Sequence, residues 1–298
     1  MAASIVTTNL TKYYGHEKVA ALDSLNLNIR AGEVYGFLGA NGAGKSTTIR
    51  LLMNFLQPSG GSAQISGLDI VRDSVAVKKQ VGYLAGDVAL YQKTTARELL
   101  DYLSALHGSS TNDYRQRLEK RFEAEVTKPI GALSKGNRQK IGILQAFMHQ
   151  PDVLILDEPT SGLDPLMQEA FYETVREARA RGAAVLMSSH NLAEAQRVCD
   201  RIGIVKHGKL IHEQTMGSGT ELTKPIFRVV PTLDTDVARL KKVPHLKFLS
   251  ENESGLLLQA NGTLAEALAA LSKFDLREFS TQQLNLEDEF IEFYGDKA

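Results

Sequence analysis

Gly39-Ala40-Asn41-Gly42-Ala43-Gly44-Lys45-Ser46-Thr47 fits the pattern G-x-x-x-x-G-K-[ST] and decides how the rest of this 298-residue chain is read. An apolar, strand-like run, Glu33-Val34-Tyr35-Gly36-Phe37-Leu38, leads into it. Behind it, residues 48–56 carry apolar side chains at helical spacing until Pro58 closes the segment. A glycine-rich turn between a strand and a helix makes an anion cradle. Glycines let the backbone fold tightly so that successive N–H groups point inward, and the helix adds the positive end of its dipole. In such a loop Lys45 reaches the β- and γ-phosphates of a nucleoside triphosphate, the Ser46 hydroxyl ligates Mg²⁺, and Thr47 adds a hydroxyl near the α-phosphate.

Two further strand ends belong to the same chemistry. Val153-Leu154-Ile155-Leu156 is a continuous apolar run ending in Asp157-Glu158, as expected of a strand covered on both faces of a parallel sheet. Carboxylates in such a place need a partner or a metal. Beside a phosphate loop, Asp157 would hold the Mg²⁺ shell and Glu158 would act as general base on the water attacking the γ-phosphate. Residues 183–187 form another buried strand, ending in Ser188-Ser189-His190. In a doubly wound sheet His190 then projects on the ligand-bearing edge, where it can donate to the γ-phosphate. The seven histidines show no metal-ligand spacing, so no zinc or iron site is expected.

The whole chain sets bounds on this reading. Its length suits about two domains. Hydrophobic content of 43% and charged content of 23% are those of a globular protein. Lys+Arg at 34 against Asp+Glu at 35 leaves a net charge of −1, which gives no support for bulk nucleic-acid binding. The single cysteine, Cys199, rules out an internal disulfide framework and fits a reducing compartment. No signal peptide and no run of ~18 apolar residues is visible, so the expected location is the cytosol unless a partner holds the chain at a membrane.

In chain order, residues 4–10 and 22–30 read as short strands, and Tyr13 and Tyr14 stand before Gly15, where an aromatic can stack on a purine or end a strand. Residues 74–80 suggest a helix and 81–84 a strand. Thr95-Ala96-Arg97-Glu98 has the form of a capping box, with Leu99, Leu100, Leu103 and Leu106 along one side of the helix that follows. A helix over 113–125 is charged on most of its surface, the mark of a solvated face. Leu133-Ser134-Lys135-Gly136-Asn137 opens a strong helix pattern that Pro151 stops, and 165–181 is another helix. Residues 202–205 and 209–211 flank Lys206-His207-Gly208, a hairpin turn. The pattern changes at a linker, 217–224. From Pro225 on the order β-α-β-β-α-β suggests a small split-βαβ module, with a last helix over 286–294.

Taken together these motifs resemble the nucleotide-binding subunits of ATP-binding cassette (ABC) transporters, over residues 4 to about 215. Residues 39–47 resemble the family's Walker A motif and 153–158 its Walker B. Leu133 to Asn137 resemble the signature LSGGQ, Ser161-Gly162-Leu163-Asp164 the D-loop, His190 the switch histidine and Tyr14 the adenine-stacking aromatic. The resemblance implies an α/β P-loop NTPase cassette: a mixed sheet with a RecA-like core, an antiparallel β-subdomain and a helical subdomain at about 87–150. This cassette would span 1–216, followed by a small α+β module over 225–298. It also implies an ATPase using ATP and Mg²⁺, in which two cassettes face head to tail and each ATP lies between one Walker A and the partner's Ser134 and Gly136. Hydrolysis would drive a transmembrane permease bound near residues 86–130, with the chain peripheral on the inner face of the membrane. The ending, residues 285–295, is similar to the tail of exporter-type subunits.

Three departures stand out: Lys135 and Asn137 where the family has glycine and glutamine, and Gly86 where its Q-loop glutamine belongs. The Lys135 side chain must then point away from the phosphate. Gly86 offers no side-chain ligand to Mg²⁺; its neighbour Asp87 is the candidate replacement. Two rival readings remain. One is a soluble ABC-type ATPase of translation or repair, which usually shows two cassettes, coiled-coil inserts or basic arms that this chain lacks. The other is a P-loop regulator using 225–298 as a sensor.

Overall fold

A computed structural model describes residues 3–15, 19–88, 90–108, 112–216, 225–252 and 255–282. The chain forms two units, Met1–Met216 and Gly217–Ala298. The predicted linker and the helix expected over 286–294 lie outside the described residues.

The first unit opens with β1 (Ala3–Tyr14) and β2 (Val19–Arg30), which pair antiparallel and join β4 (Gly60–Ile65) and β5 (Leu68–Asp69) in a sheet ordered β2-β1-β4-β5. Both long strands run further than the sequence pattern suggested, because register shifts let polar residues stay paired out to Tyr14 opposite Val19. Asn9 and Ser24, at positive φ, lie in this irregular stretch and break the alternation that marks a strand.

A second, six-stranded sheet carries β3 (Val34–Leu38), β6 (Val81–Leu84), β7 (Val153–Asp157), β8 (Ala184–Ser189), β9 (Arg201–Lys206) and β10 (Lys209–Thr215), in the order β10-β9-β3-β8-β7-β6. Its neighbours pair in parallel except β10, which returns antiparallel through the expected hairpin at His207 and Gly208. Every residue of β3, β7 and β8 is buried, which explains the apolar runs that lead to the polar ends Asp157 and Ser188-Ser189. Tyr35, Phe37, Ile155 and Leu186 share one core with Ile5, Leu10, Leu27 and Ile65 of the first sheet.

Helix α1 (Lys45–Leu52) follows β3 directly; α2 (Ser74–Gln80) precedes β6. Between β6 and β7 lie α3 (Ala96–Leu106), α4 (Asn112–Arg121) and α5 (Lys135–Phe147). The Thr95–Glu98 capping box forms in full at the start of α3, with Leu99 and Leu100 buried. Helix α4 stops short of residue 125 because Glu123 turns left-handed at φ 47°. Its surface is also less solvated than its charge suggested. Arg115 is 3% exposed, held by Asp101 at 2.5 Å and Glu119 at 2.7 Å, beside buried Tyr114 and Leu118. After β7 and β8 come α6 (Pro165–Ala180), capped by Asp164, and α7 (Leu192–Val198).

The second unit has β11 (Ile226–Pro231), α8 (Asp234–Leu240), β12 (Leu246–Asn252), β13 (Gly255–Ala260), α9 (Leu264–Leu271) and β14 (Leu276–Gln282). This is the expected β-α-β-β-α-β order. The strands form an antiparallel sheet ordered β12-β13-β11-β14 over a core of Phe227, Val229, Leu256, Leu258 and Leu271.

Candidate functional site

Parallel register carries the three motif-bearing strand ends to one edge of the second sheet. Leu38 pairs with Ser189 and Asp157 with Ser188, so the segments that follow β3, β7 and β8 leave side by side. There the chain walls a cavity of about 490 Å³, lined by the phosphate loop and by Asp87, Asp157, Glu158 and His190 among others.

The loop itself is shaped by Gly42 at φ 82° and Gly44 at φ 115°, a left-handed path that a side chain would strain. Gly44 immediately precedes α1, so Lys45 and Ser46 sit in its first turn. Ala40, Asn41, Gly42, Gly44, Lys45, Ser46 and Thr47 line the cavity, while Gly39 and Ala43 are buried behind it. Lys45 is 6% exposed; its ammonium donates to Gly39 O at 2.6 Å and Ala40 O at 3.3 Å. The same Nζ is 3.4 Å from Glu158 Oε1.

Asp157 is 7% exposed and its Oδ1 accepts the Ser188 hydroxyl at 2.5 Å. Ser188 Oγ in turn accepts the Glu158 backbone N–H at 3.0 Å, so one hydroxyl ties the two carboxylate residues to β8. Glu158 has φ 47°, a left-handed backbone that Glu seldom adopts. Its Oε2 is 2.6 Å from His190 Nδ1. Ser189, next to His190, donates to Glu194 Oε2 at 2.8 Å, and Thr160 donates to Glu194 Oε1 at 2.9 Å. Thus both residues of the carboxylate pair and the residue before the histidine are pinned by side-chain hydrogen bonds.

Gly86 faces the Asp157 carboxylate: a Cβ there would lie 3.3 Å from Asp157 Cγ and Oδ2. Asp87 is exposed and lines the cavity. Sequence reasoning did not single out Ala21, Arg50, Tyr83 or Ser161 as wall residues. Arg50 lies four residues after Ser46, on the same face of α1, and that spacing was available as a signal. Burial, with Asp157 nearby, pushes the Tyr83 hydroxyl above its ordinary pKa, and Arg50 opposes the shift. Ser188 was visible only as a polar strand end; its role depends on the β7–β8 register.

Three of the expected residues lie elsewhere. Tyr14 does not line this cavity; it ends β1 with its ring 41% exposed and the Lys12 ammonium 5.6 Å from the ring centroid. Ser134 and Gly136 are also outside the lining. Ser134 is exposed and caps α5, accepting the Asn137 N–H at 3.2 Å. Gly136 packs on the loop after β7, where a Cβ would come 3.0 Å from Gly162 O. The Lys135 stem runs along Gly162, its carbons 3.7 Å from where a Cβ would stand.

A buried lysine in a glycine cradle, with an acid pair and a histidine fixed on the neighbouring strand ends, is the equipment of a P-loop nucleotide triphosphatase. Comparison with known proteins narrows the class. Residues 22–161 match the ABC transporter family. The bacitracin transport ATP-binding protein BcrA of Bacillus licheniformis is 38% identical over 216 residues, 72% of this chain and 70% of that protein. The daunorubicin resistance ATP-binding protein DrrA3 of Streptomyces coeruleorubidus is 36% identical over 313 residues, 99% of this chain and 98% of that one. A bacterial ABC transporter cassette solved as a dimer superposes with a TM-score of 0.65 at 25% identity, over 72% of this chain and 99% of its own. The chain belongs to the ABC transporter family, as its ATP-binding and ATP-hydrolysing subunit.

Proposed function

We propose that this subunit powers an exporter: two cassettes, two copies or one with a close relative, close head to tail around ATP and pass that motion to a transmembrane permease. The observation that carries this reading is the absence of Ser134 and Gly136 from the cavity that holds Lys45, Asp157, Glu158 and His190. The chain's second phosphate-binding end, the N-terminus of α5, is turned to solvent and has no triphosphate of its own to bind. Drug-related relatives such as those of bacitracin transport and daunorubicin resistance favour export over the soluble and sensor alternatives.

Within each site the loop N–H groups and Lys45 hold the β- and γ-phosphates, and phosphate oxygens replace Gly39 O and Ala40 O as acceptors for the ammonium. Glu158 takes the proton of the attacking water. His190 fixes Glu158 through Nδ1 and lines the part of the cavity that takes the γ-phosphate. Tyr14 stacks on the adenine. Ser46 and Asp157 offer oxygen ligands only, one carboxylate oxygen free after Ser188 takes the other, and that donor set suits Mg²⁺. Held by Ser46 and Asp157, Mg²⁺ would supply positive charge against the triphosphate. Asp87 adds a third carboxylate to the same wall, where Gly86 supplies no side chain. Among the described residues no helix is long and apolar enough to cross a membrane, so the permease partner would hold the chain on the inner face.

Sedimentation of Glu158→Gln with Mg·ATP tests the scheme. A stable dimer with very slow turnover is expected, and Ser134→Glu in that background should return it to monomer. A Glu158→Gln protein that stays monomeric and hydrolyses ATP at the native rate overturns it. A polytopic membrane protein retained during purification from detergent extracts supports the permease; nucleic acid retained instead supports the soluble alternative.

A further inference from the structure

At the opposite end of the parallel strands, where β3 and β9 begin, three arginines converge on a second cavity. Its volume is about 290 Å³, and its walls include Arg30, Glu33, Arg179, Asp200, Arg201 and Thr215. The two carboxylates in it are already spoken for. Asp200 Oδ1 meets Arg179 Nη2 at 2.5 Å, and its Oδ2 accepts the Val34 N–H at 2.9 Å. Glu33 Oε1 lies 3.0 Å from Arg201 Nε, and its Oε2 accepts the Arg30 N–H at 2.7 Å. Arg201 also donates to Asn28 O and lies over the Tyr35 ring, 5.0 Å from its centroid. Among the described residues no side-chain partner is recorded for the Arg30 guanidinium, and Arg179 engages one of its five donors.

The cavity wall thus holds three permanent positive charges against two negative ones, and all four carboxylate oxygens already have a partner other than the Arg30 guanidinium. A concave site with surplus guanidinium donors has an elevated potential, and the planar fork of arginine matches tetrahedral oxyanions two bonds at a time. We propose that this cavity is a binding site for a phosphate-bearing ligand, held by Arg30 and the free edge of Arg179, separate from the ATP site. Glu33, Asp200 and Arg201 form its fixed floor: they tie the start of β3 to the start of β9, and the donors above them stand at the end of β2 and in the last turn of α6 rather than on a loop. The site lies within the first unit, on the sheet edge remote from hydrolysis. Its occupancy is therefore suited to regulate the cassette rather than to take part in the reaction.

Arg30 is the residue to change, since it is exposed and no side chain among the described residues pairs with its guanidinium. The full chain, loaded with Mg²⁺ and a non-hydrolysable ATP analogue to fill the first cavity, is melted in rising inorganic phosphate and in chloride at matched ionic strength. At about ten times the dissociation constant, phosphate should raise the melting temperature by roughly 3 °C for a unit of this size, saturably, and chloride should not. Arg30→Ala and Arg30→Glu should abolish the rise, and Arg30→Lys should keep part of it. Acetate separates phosphoryl recognition from general carboxylate binding: an equal rise with acetate overturns the phosphate assignment. An equal rise in the wild type and Arg30→Glu, or no rise in the wild type, overturns the site. Crystals soaked in tungstate give the direct check, with density expected between Arg30 and Arg179.

Discussion

His190 shows how a side chain of ordinary chemistry gains a role from its neighbours. Its Nδ1 stands 2.6 Å from Glu158, and Glu158 in turn lies 3.4 Å from Lys45, so His190, Glu158 and Lys45 form one chain of contacts. Removing the ring frees Glu158 to rotate without touching the loop that binds the triphosphate. His190→Ala should therefore lower kcat by about 10²-fold while KM for ATP changes little, a split that steady-state kinetics reads directly. Asp157, Glu158 and His190 were legible in the sequence because each stands at the end of a recognisable strand, and Lys45 because it closes a glycine-rich motif. Ser188 was not. Only the pairing of Asp157 with Ser188 across β7 and β8 turns a small polar residue into the group that aims both carboxylate residues.

Among the elements, α3 and α5 carry the clearest local instructions and the clearest tests. The Thr95 hydroxyl accepts the Glu98 N–H at 3.2 Å while Glu98 reaches back to the Thr95 N–H at 2.9 Å. Thr95→Ala should cost about 1 kcal/mol, seen as faster amide hydrogen exchange over residues 96–100 with ATP binding preserved. Just past α5, His149 stacks on His107 with ring centroids 4.0 Å apart. Burial, and then the neighbouring imidazole, hold His149 down to about 4, below its ordinary 6.5. A ring kept neutral in the folded chain takes up its proton more readily once unfolded. Its contribution to stability is thus fully present above pH 6.5 and lost as pH falls from 6.5 towards 4. Denaturant melts of His149→Phe across that window should show a flatter decline than the wild type. What the sequence hid at this scale was pairing at a distance. Arg115 looks solvated until Asp101, fourteen positions away, is brought against it, and β1 and β2 look short because irregular register spoils their alternation.

For the molecule as a whole, sequence and structure agree where local rules and the fold point the same way, as in the buried runs of β3, β7 and β8. They part where residues distant in the chain converge. Positions 30, 179 and 201 share no motif, and nothing in their spacing announces a common cavity. The left-handed backbone at Glu158 draws these scales together. A glutamate prefers not to bend this way, and such a conformation costs on the order of 1 kcal/mol that the surrounding strands must outweigh. Asparagine and glycine adopt it readily. Glu158→Asn should accordingly yield a protein that melts a few degrees higher than the native one by calorimetry and hydrolyses almost no ATP. A slightly less robust cassette is in that case the counterpart of a main chain that itself aims the Glu158 carboxylate into the cavity.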